Sequence, residues 1–288
     1  LDISYGQVYK SLRKNKNKTL EDVANENISK SFLSKFERGK SDISFSRMTY
    51  ILKAINVSLS EFQHLMEEGK DLDDIETYLI EISTFYYLKD IKALRKNVDE
   101  EKKKYKITGK VEYLHKYILA LAFICDIEQK KLPEKENEIL SNYLFDIEYW
   151  GKYEFVLLSN TISVINLNTA TILADELIKK DHLYGSTSDD MELKLSIILN
   201  LIMNCLTEGK VKLAKKYINT VEEYNLVDKF IYYKIVLNVY KILSNTNKEN
   251  LSNSKEEISN ILTFLDYIGS SELSPMIDDI SKKYFCTL

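Results

Sequence analysis

Ser29, Lys30, Ser31, Ser34 and Lys35 fall within seven consecutive residues and bring hydroxyl donors and positive charges together. Leu33 and Phe36 supply the apolar positions between them. Ser29 suits the cap that opens a helix, and Gly39 suits the left-handed residue just past its end. The stretch predicts a short helix with Leu33 and Phe36 inward and its serines and lysines outward. Such a helix fits the major groove of DNA. Ser29, Lys30, Ser31, Phe32 and Ser34 are the candidates for base edges. Lys14, Lys18, Lys35 and Lys40 are the candidates for phosphates, the contacts that set affinity and salt dependence. Phe32 admits two readings: an aromatic against a thymine methyl, or a ring rolled into the core.

Four more helices are needed to hold that one. Tyr5–Lys14 reads as the first, with Val8 and Leu12 on one face. Thr19 caps a second, Leu20 to about Glu26, with Leu20, Val23 and Ala24 inward. Asn25–Ser29 turns into the third. Ser46–Ile55 gives a fourth, with Met48, Ile51, Leu52 and Ile55 inward, and Ser60 caps a fifth carrying Phe62, Leu65 and Met66. Five short helices with tight turns form a compact helix-turn-helix domain over residues 1–67. Residues 1–66 hold eleven Lys+Arg against seven Asp+Glu, a net +4, while the whole chain is −4. The remainder is then −8. A basic head on an acidic body is expected if only the head meets phosphate.

Residues 68–288 read as helix after helix, following a junction at Gly69-Lys70-Asp71. The expected spans are 72–88, 90–104, 108–129, 134–147, 152–165, 169–181, 189–207, 210–223, 227–244, 251–267 and 272–285. Gly109, Gly151, Gly185, Gly209 and Gly269 fall between them as helix stops, and Pro133 sits just before a helix. With two prolines, eight glycines and 44% apolar residues in 288, the chain reads as all-α. Helices paired at short intervals predict an α-solenoid. Lys210–Ile218, with the small Ala214, resembles the second helix of a tetratricopeptide unit, so the array is tetratricopeptide-like without a clean repeat. The rival architecture is a single irregular helical bundle.

A solenoid of this kind lines one surface with the first helix of each pair, and that surface suits an extended peptide. Asn160, Asn200 with Asn204 four residues on, and Asn238 are amides set among apolar residues. An amide both donates and accepts, so it can fix a peptide backbone without reading side chains. Tyr232 and Tyr240 are the candidates to receive the peptide's side chains. Lys152 is either a partner for a peptide carboxylate or a solvated residue at a helix start. For each amide the competing reading is a bond to a neighbouring helix or to water.

Other chemistries find little support. His64, His115 and His182 lie far apart, and no P-loop, GxGxxG, nucleophile elbow or HExxH occurs. No enzyme, metal or cofactor is expected. Cys125 and Cys205 sit in apolar runs and read as core, with Cys286 exposed near the end. Three thiols without CxxC spacing suit a cytoplasmic location, and no membrane span or signal peptide is expected. The opening Leu1, in place of Met, suggests a trimmed start.

The pattern Tyr5-Gly6, Leu12-Arg13, Leu20–Ala24, Ser29–Phe36, Glu37-Arg38-Gly39 and Val57-Ser58-Leu59 resembles the phage-repressor-type (Xre) helix-turn-helix. Leu20-Glu21-Asp22-Val23-Ala24, Ile28-Ser29-Lys30-Ser31 and Phe36–Ser44 resemble the Rgg family of Gram-positive transcription regulators. Tyr143-Leu144-Phe145-Asp146-Ile147-Glu148-Tyr149-Trp150-Gly151-Lys152-Tyr153-Glu154 is a second match to that family. The resemblance spans nearly the whole chain. It implies a double-stranded DNA operator, a short linear signalling peptide held in the helical-repeat domain (quorum sensing), and a homodimer. The last helices, Leu251–Tyr284, are the expected dimer surface. It also implies that Arg13, ending the first helix, pairs with Glu37, ending the third, with Arg13 a further candidate for phosphate. Some relatives cross-link their heads through a cysteine in the stretch matching Ile43–Ser46. This chain has Phe45 there, so no such disulfide is expected, and an apolar contact through Phe45 is open to it. The polar residue expected at Phe32 is absent, which leaves the operator open. Peptide-independent repression, or a helical-repeat adaptor whose head holds a protein, are the alternative functions.

Overall fold

The computed structural model describes residues 4–67, 75–179 and 188–286. The chain divides into two compact units, Leu1–Asp74 and Ile75–Leu288. The junction expected at Gly69-Lys70-Asp71, His182 and Gly185 lie outside the described residues. Among the described residues every regular element is helical, apart from one isolated bridge between Asn25 and Ile28.

The first unit holds α1 (Tyr5–Asn15), α2 (Leu20–Val23), α3 (Lys30–Glu37), α4 (Phe45–Ala54) and α5 (Leu59–Glu67). Its core is one cluster that includes Tyr9, Leu33, Phe36, Ile51 and Leu52. Helix α2 is shorter than the sequence suggests. Ala24 turns to an extended backbone, and the Asn25 side chain accepts from the amides of Asn27 and Ile28, building the turn instead. Helix α4 begins at Phe45 rather than Ser46. Helix α5 is capped by Ser58, not Ser60: the Ser58 Oγ accepts from the Glu61 amide, and Glu61 Oε2 accepts from the Ser58 amide. Gly6 lets α1 touch α3. A Cβ there would overlap the Phe36 carbonyl oxygen and lie 2.7 Å from its carbon.

The second unit is an α-solenoid of α6 (Ile75–Tyr87), α7 (Ile91–Thr108), α8 (Val111–Ile127), α9 (Glu134–Asp146), α10 (Lys152–Ser159), α11 (Leu167–Lys179), α12 (Ser188–Thr207), α13 (Val211–Glu223), α14 (Ile231–Asn245), α15 (Leu251–Tyr267) and α16 (Leu273–Phe285). Even-numbered helices pack along a row in two runs: α6 on α8, and α10 on α12, α12 on α14 and α14 on α16. The odd-numbered helices flank them. Ala214, on α13, is fully buried, as the close packing of a small residue requires. Cys125 and Cys205 are buried and Cys286 is exposed. Gly109, Gly209 and Gly269 end helices at positive φ, as only glycine does at little cost. Gly151 does the opposite and opens α10 as its N-cap.

Helix α10 is also shorter than the expected 152–165. Asn160 and Thr161 side chains bond back to the carbonyls of Val156 and Leu157, and a hydrogen-bonded turn follows. In that turn the Val164 carbonyl accepts from the Leu132 amide at 2.7 Å.

Candidate nucleic-acid interface and the even-numbered helix row

Helix α3 is anchored by its buried Leu33 and Phe36, the latter tilted against Tyr9 at 6.1 Å. The Ser29 hydroxyl accepts from the Phe32 amide and caps the helix. Ser29, Lys30, Ser31 and Lys35 are exposed, as are Lys14, Lys18 and Lys40. Ser29, Lys30, Ser31 and Lys35 thus give α3 and its cap exposed hydroxyls and positive charge. Lys30 is already ion-paired with Glu21, which lowers the Glu21 pKa. The pair is exposed on both sides, so it is weak and can be exchanged for a phosphate.

Three members of the expected set are buried or half-buried. Arg13 does not face phosphate. Its guanidinium is buried, with Nε donating to Glu37 Oε1 at 2.6 Å, Nη2 to Oε2 at 2.8 Å, and Nη1 to the Lys18 carbonyl. It ties the end of α1 to the end of α3. Phe32 is half-buried against the core, so its ring is not a free probe of thymine methyls. Ser34 is half-buried too, and its carbonyl accepts from Arg38 Nε at 3.0 Å. Sequence reasoning missed Arg47, whose guanidinium carbon lies 5.1 Å from the Phe32 ring centroid. No periodicity marks it; only tertiary packing brings α4 to Phe32.

In the second unit the expected amides separate. Asn204 Nδ2 donates to the Ile162 carbonyl at 2.7 Å, and Asn200 Nδ2 reaches the Ser159 carbonyl at 3.4 Å. A helix end leaves carbonyls without intrahelical partners. Two amides of α12 thus meet one carbonyl at the end of α10 and one in the turn after it. Asn160 Nδ2 folds back on the Val156 carbonyl and Ser159 Oγ. Asn160 and Asn204, both half-buried, thus spend their Nδ2 donors on ties within the protein. Asn200 keeps Oδ1 without a partner among the described residues, and Asn238, exposed on α14, has none for either atom. Tyr240 is 4% exposed, a core residue that cannot receive a ligand side chain. Tyr232 is exposed, its ring edge-on to Tyr233 at 5.1 Å. Lys152 pairs with Glu76 of α6 at 2.8 Å.

The motif Tyr143–Glu154 forms a joint between α8, α9 and α10. The Tyr143 hydroxyl donates to Glu154 Oε1 at 2.6 Å, and the Gly151 amide donates to Oε2 at 2.8 Å. Trp150 Nε1 donates to the Leu144 carbonyl. His115 Nδ1 lies 2.9 Å from the Tyr153 hydroxyl, and its ring packs 4.3 Å from that of Tyr143. Burial lowers the His115 pKa to about 4, against a small opposing effect of Glu154. The unfolded chain, near 6.5, takes up the proton first. Stability contributed here is therefore full above about pH 6.5 and is lost as pH falls to about 4, by about 3 kcal/mol. Urea titrations across that window should show this slope, flattened in His115→Gln. An equal slope in the variant would assign the loss elsewhere.

A five-helix head presenting a capped, basic third helix, joined to an α-solenoid, defines a helix-turn-helix transcription regulator with a helical-repeat domain. A family model for the C-terminal domain of the HTH-type transcriptional regulator Rgg matches residues 92–278, and a helix-turn-helix model matches residues 10–62. The chain belongs to the Rgg family of transcription regulators. The fold is shared with the SHP pheromone receptor Rgg2 of Streptococcus dysgalactiae at 24% identity and a TM-score of 0.78, covering 97% of this chain and 99% of that one. A protein from Listeria monocytogenes EGD-e gives a TM-score of 0.82 at 18% identity, over 100% and 99% of the two chains. PrgX in complex with cCF10 gives 0.73 at 18% identity, over 97% and 92%.

Proposed function

We propose that this regulator is cytoplasmic and homodimeric, and that a short linear peptide on the even-numbered row controls its operator affinity. The carrying observation is the pair Asn200 and Asn238. They stand exposed on packed neighbours α12 and α14, with hydrogen-bonding capacity unused among the described residues. Tyr232 on α14 and Met276 on α16 supply apolar surface on the same row. Two amides on adjacent helices can bond one extended backbone at two points. The similar folds of Rgg2, a pheromone receptor, and of PrgX bound to cCF10 support the same reading.

For the dimer, α15 offers Phe264 and Tyr267, 53% and 88% exposed, with Ile268 just past its end 55% exposed. In the head, Phe45 is 70% exposed. Two such heads would bind two half-sites. A peptide that changes the relation between them would couple the two sites.

The test has two arms. Genome fragments captured by the full-length protein should share a nearly two-fold-symmetric motif near a short reading frame. The peptide encoded there should bind in a titration and shift operator affinity. Asn200→Ala with Asn238→Ala should weaken the peptide at least about tenfold, the scale of two lost hydrogen bonds, and leave DNA binding intact. No heat and no shift would leave a peptide-independent repressor. No captured motif would leave the adaptor reading.

A further inference from the structure

Arg47 stands outside α3 in sequence, yet it is a cation built directly against that helix. It lies in the first turn of α4, is exposed, and places its guanidinium over the Phe32 ring. Phe32 is the third residue of α3. The N-terminal residues of a recognition helix are the ones that reach base edges. Among the described residues, Arg47 has no carboxylate partner, whereas Arg13 is bound by Glu37 and Lys30 by Glu21.

We propose that Arg47 and Phe32 act as one guanine-reading unit. The ring lies 5.1 Å beneath the guanidinium carbon and offers no hydrogen-bond acceptor, so the N–H groups are left for the O6 and N7 of guanine. Arginine suits this because its charge is fixed, its group is planar and its donors form a rigid fork. A phosphate contact requires no such clamp, and the exposed Lys14, Lys18, Lys35 and Lys40 already offer flexible charge. The pairing also accounts for the half-buried Phe32, which orients a reader instead of touching a base. The inference rests on the DNA-binding reading of the head.

Selection from a randomised duplex DNA pool tests it, using full-length wild type, Arg47→Ala, Arg47→Lys and Phe32→Leu. Salt titrations on the selected duplex follow. Wild type should select a guanine at one position of each half-site. Arg47→Ala should lose that preference by about ten- to a hundredfold and keep the rest of the motif. Arg47→Lys should not restore it, and Phe32→Leu should weaken preference at the same position. Uniform weakening over all sequences, with the salt slope reduced by about one, would overturn the proposal in favour of a phosphate contact. An unchanged motif in Arg47→Ala and Arg47→Lys would overturn it as well. If wild type itself selects nothing, the DNA reading of the head falls, a result separate from the other two.

Discussion

Arg13→Met should destabilise the head by about 3–5 kcal/mol, the cost of leaving a buried carboxylate without its partner. The pair is bidentate, buried on both sides, and further held by the Lys18 carbonyl. A domain of this size has a stability of only about 4–11 kcal/mol, so the variant would sit near its unfolding threshold. Glu37→Leu should cost a similar amount, because it strands the guanidinium. The double variant should recover much of the loss, since an apolar pair of similar volume leaves no buried charge. Thermal melts of the four proteins measure this cycle. A phosphate role for Arg13 predicts something different: weaker DNA binding in Arg13→Met with an unchanged melt and no coupling to Glu37. That outcome would reinstate it as a DNA contact.

Gly6→Ala should damage the same seam by another route. The added Cβ would lie 2.7 Å from the Phe36 carbonyl carbon and 3.1 Å from the Glu37 Cα, besides overlapping the Phe36 oxygen. All are backbone atoms, so no side chain can rotate away. Helix α1 must move off α3, which opens the Tyr9–Phe36 contact and stretches the Arg13–Glu37 pair. Overpacking ordinarily costs about 1–3 kcal/mol, and rigid backbone places this site at or above that range. Operator binding should fall with the folded fraction of the head, and loss of the second unit's helicity should not accompany it. Combining Gly6→Ala with Arg13→Met should give less than the sum, because both act at one contact. A Gly6→Ala head that melts like wild type would show that α1 can shift freely, contrary to this packing.

Helix α3 was legible because its signals are local. Ser29 caps it, Gly39 follows it at φ +67°, and Leu33 and Phe36 keep the helical period. Most solenoid helices were visible for the same reason, with α15 found over the expected 251–267. The misplaced boundaries were those where side chains compete with the helix for backbone groups. Asn25 builds the turn that shortens α2, and Asn160 and Thr161 end α10 early.

The amides show where local reading stops. Asn200 and Asn204 share one helix face and the same chemistry, so sequence spacing treats them alike. In the structure Asn204 is half-buried and held at 2.7 Å by a carbonyl of the turn after α10, while Asn200 is exposed and only reaches the Ser159 carbonyl at 3.4 Å. Tyr240 likewise could not be told from Tyr232 by type, yet one is core and the other surface. Sequence by itself determined most of the helices, the Thr19 and Ser29 caps, the basic head and the family, because these depend on neighbours along the chain. Only tertiary structure decided which polar groups are already satisfied, that the expected Arg13–Glu37 pair is buried on both sides, and that Arg47 stands over Phe32. Those outcomes depend on which distant backbone groups and rings packing brings within about 3–5 Å, distances that residue order does not encode.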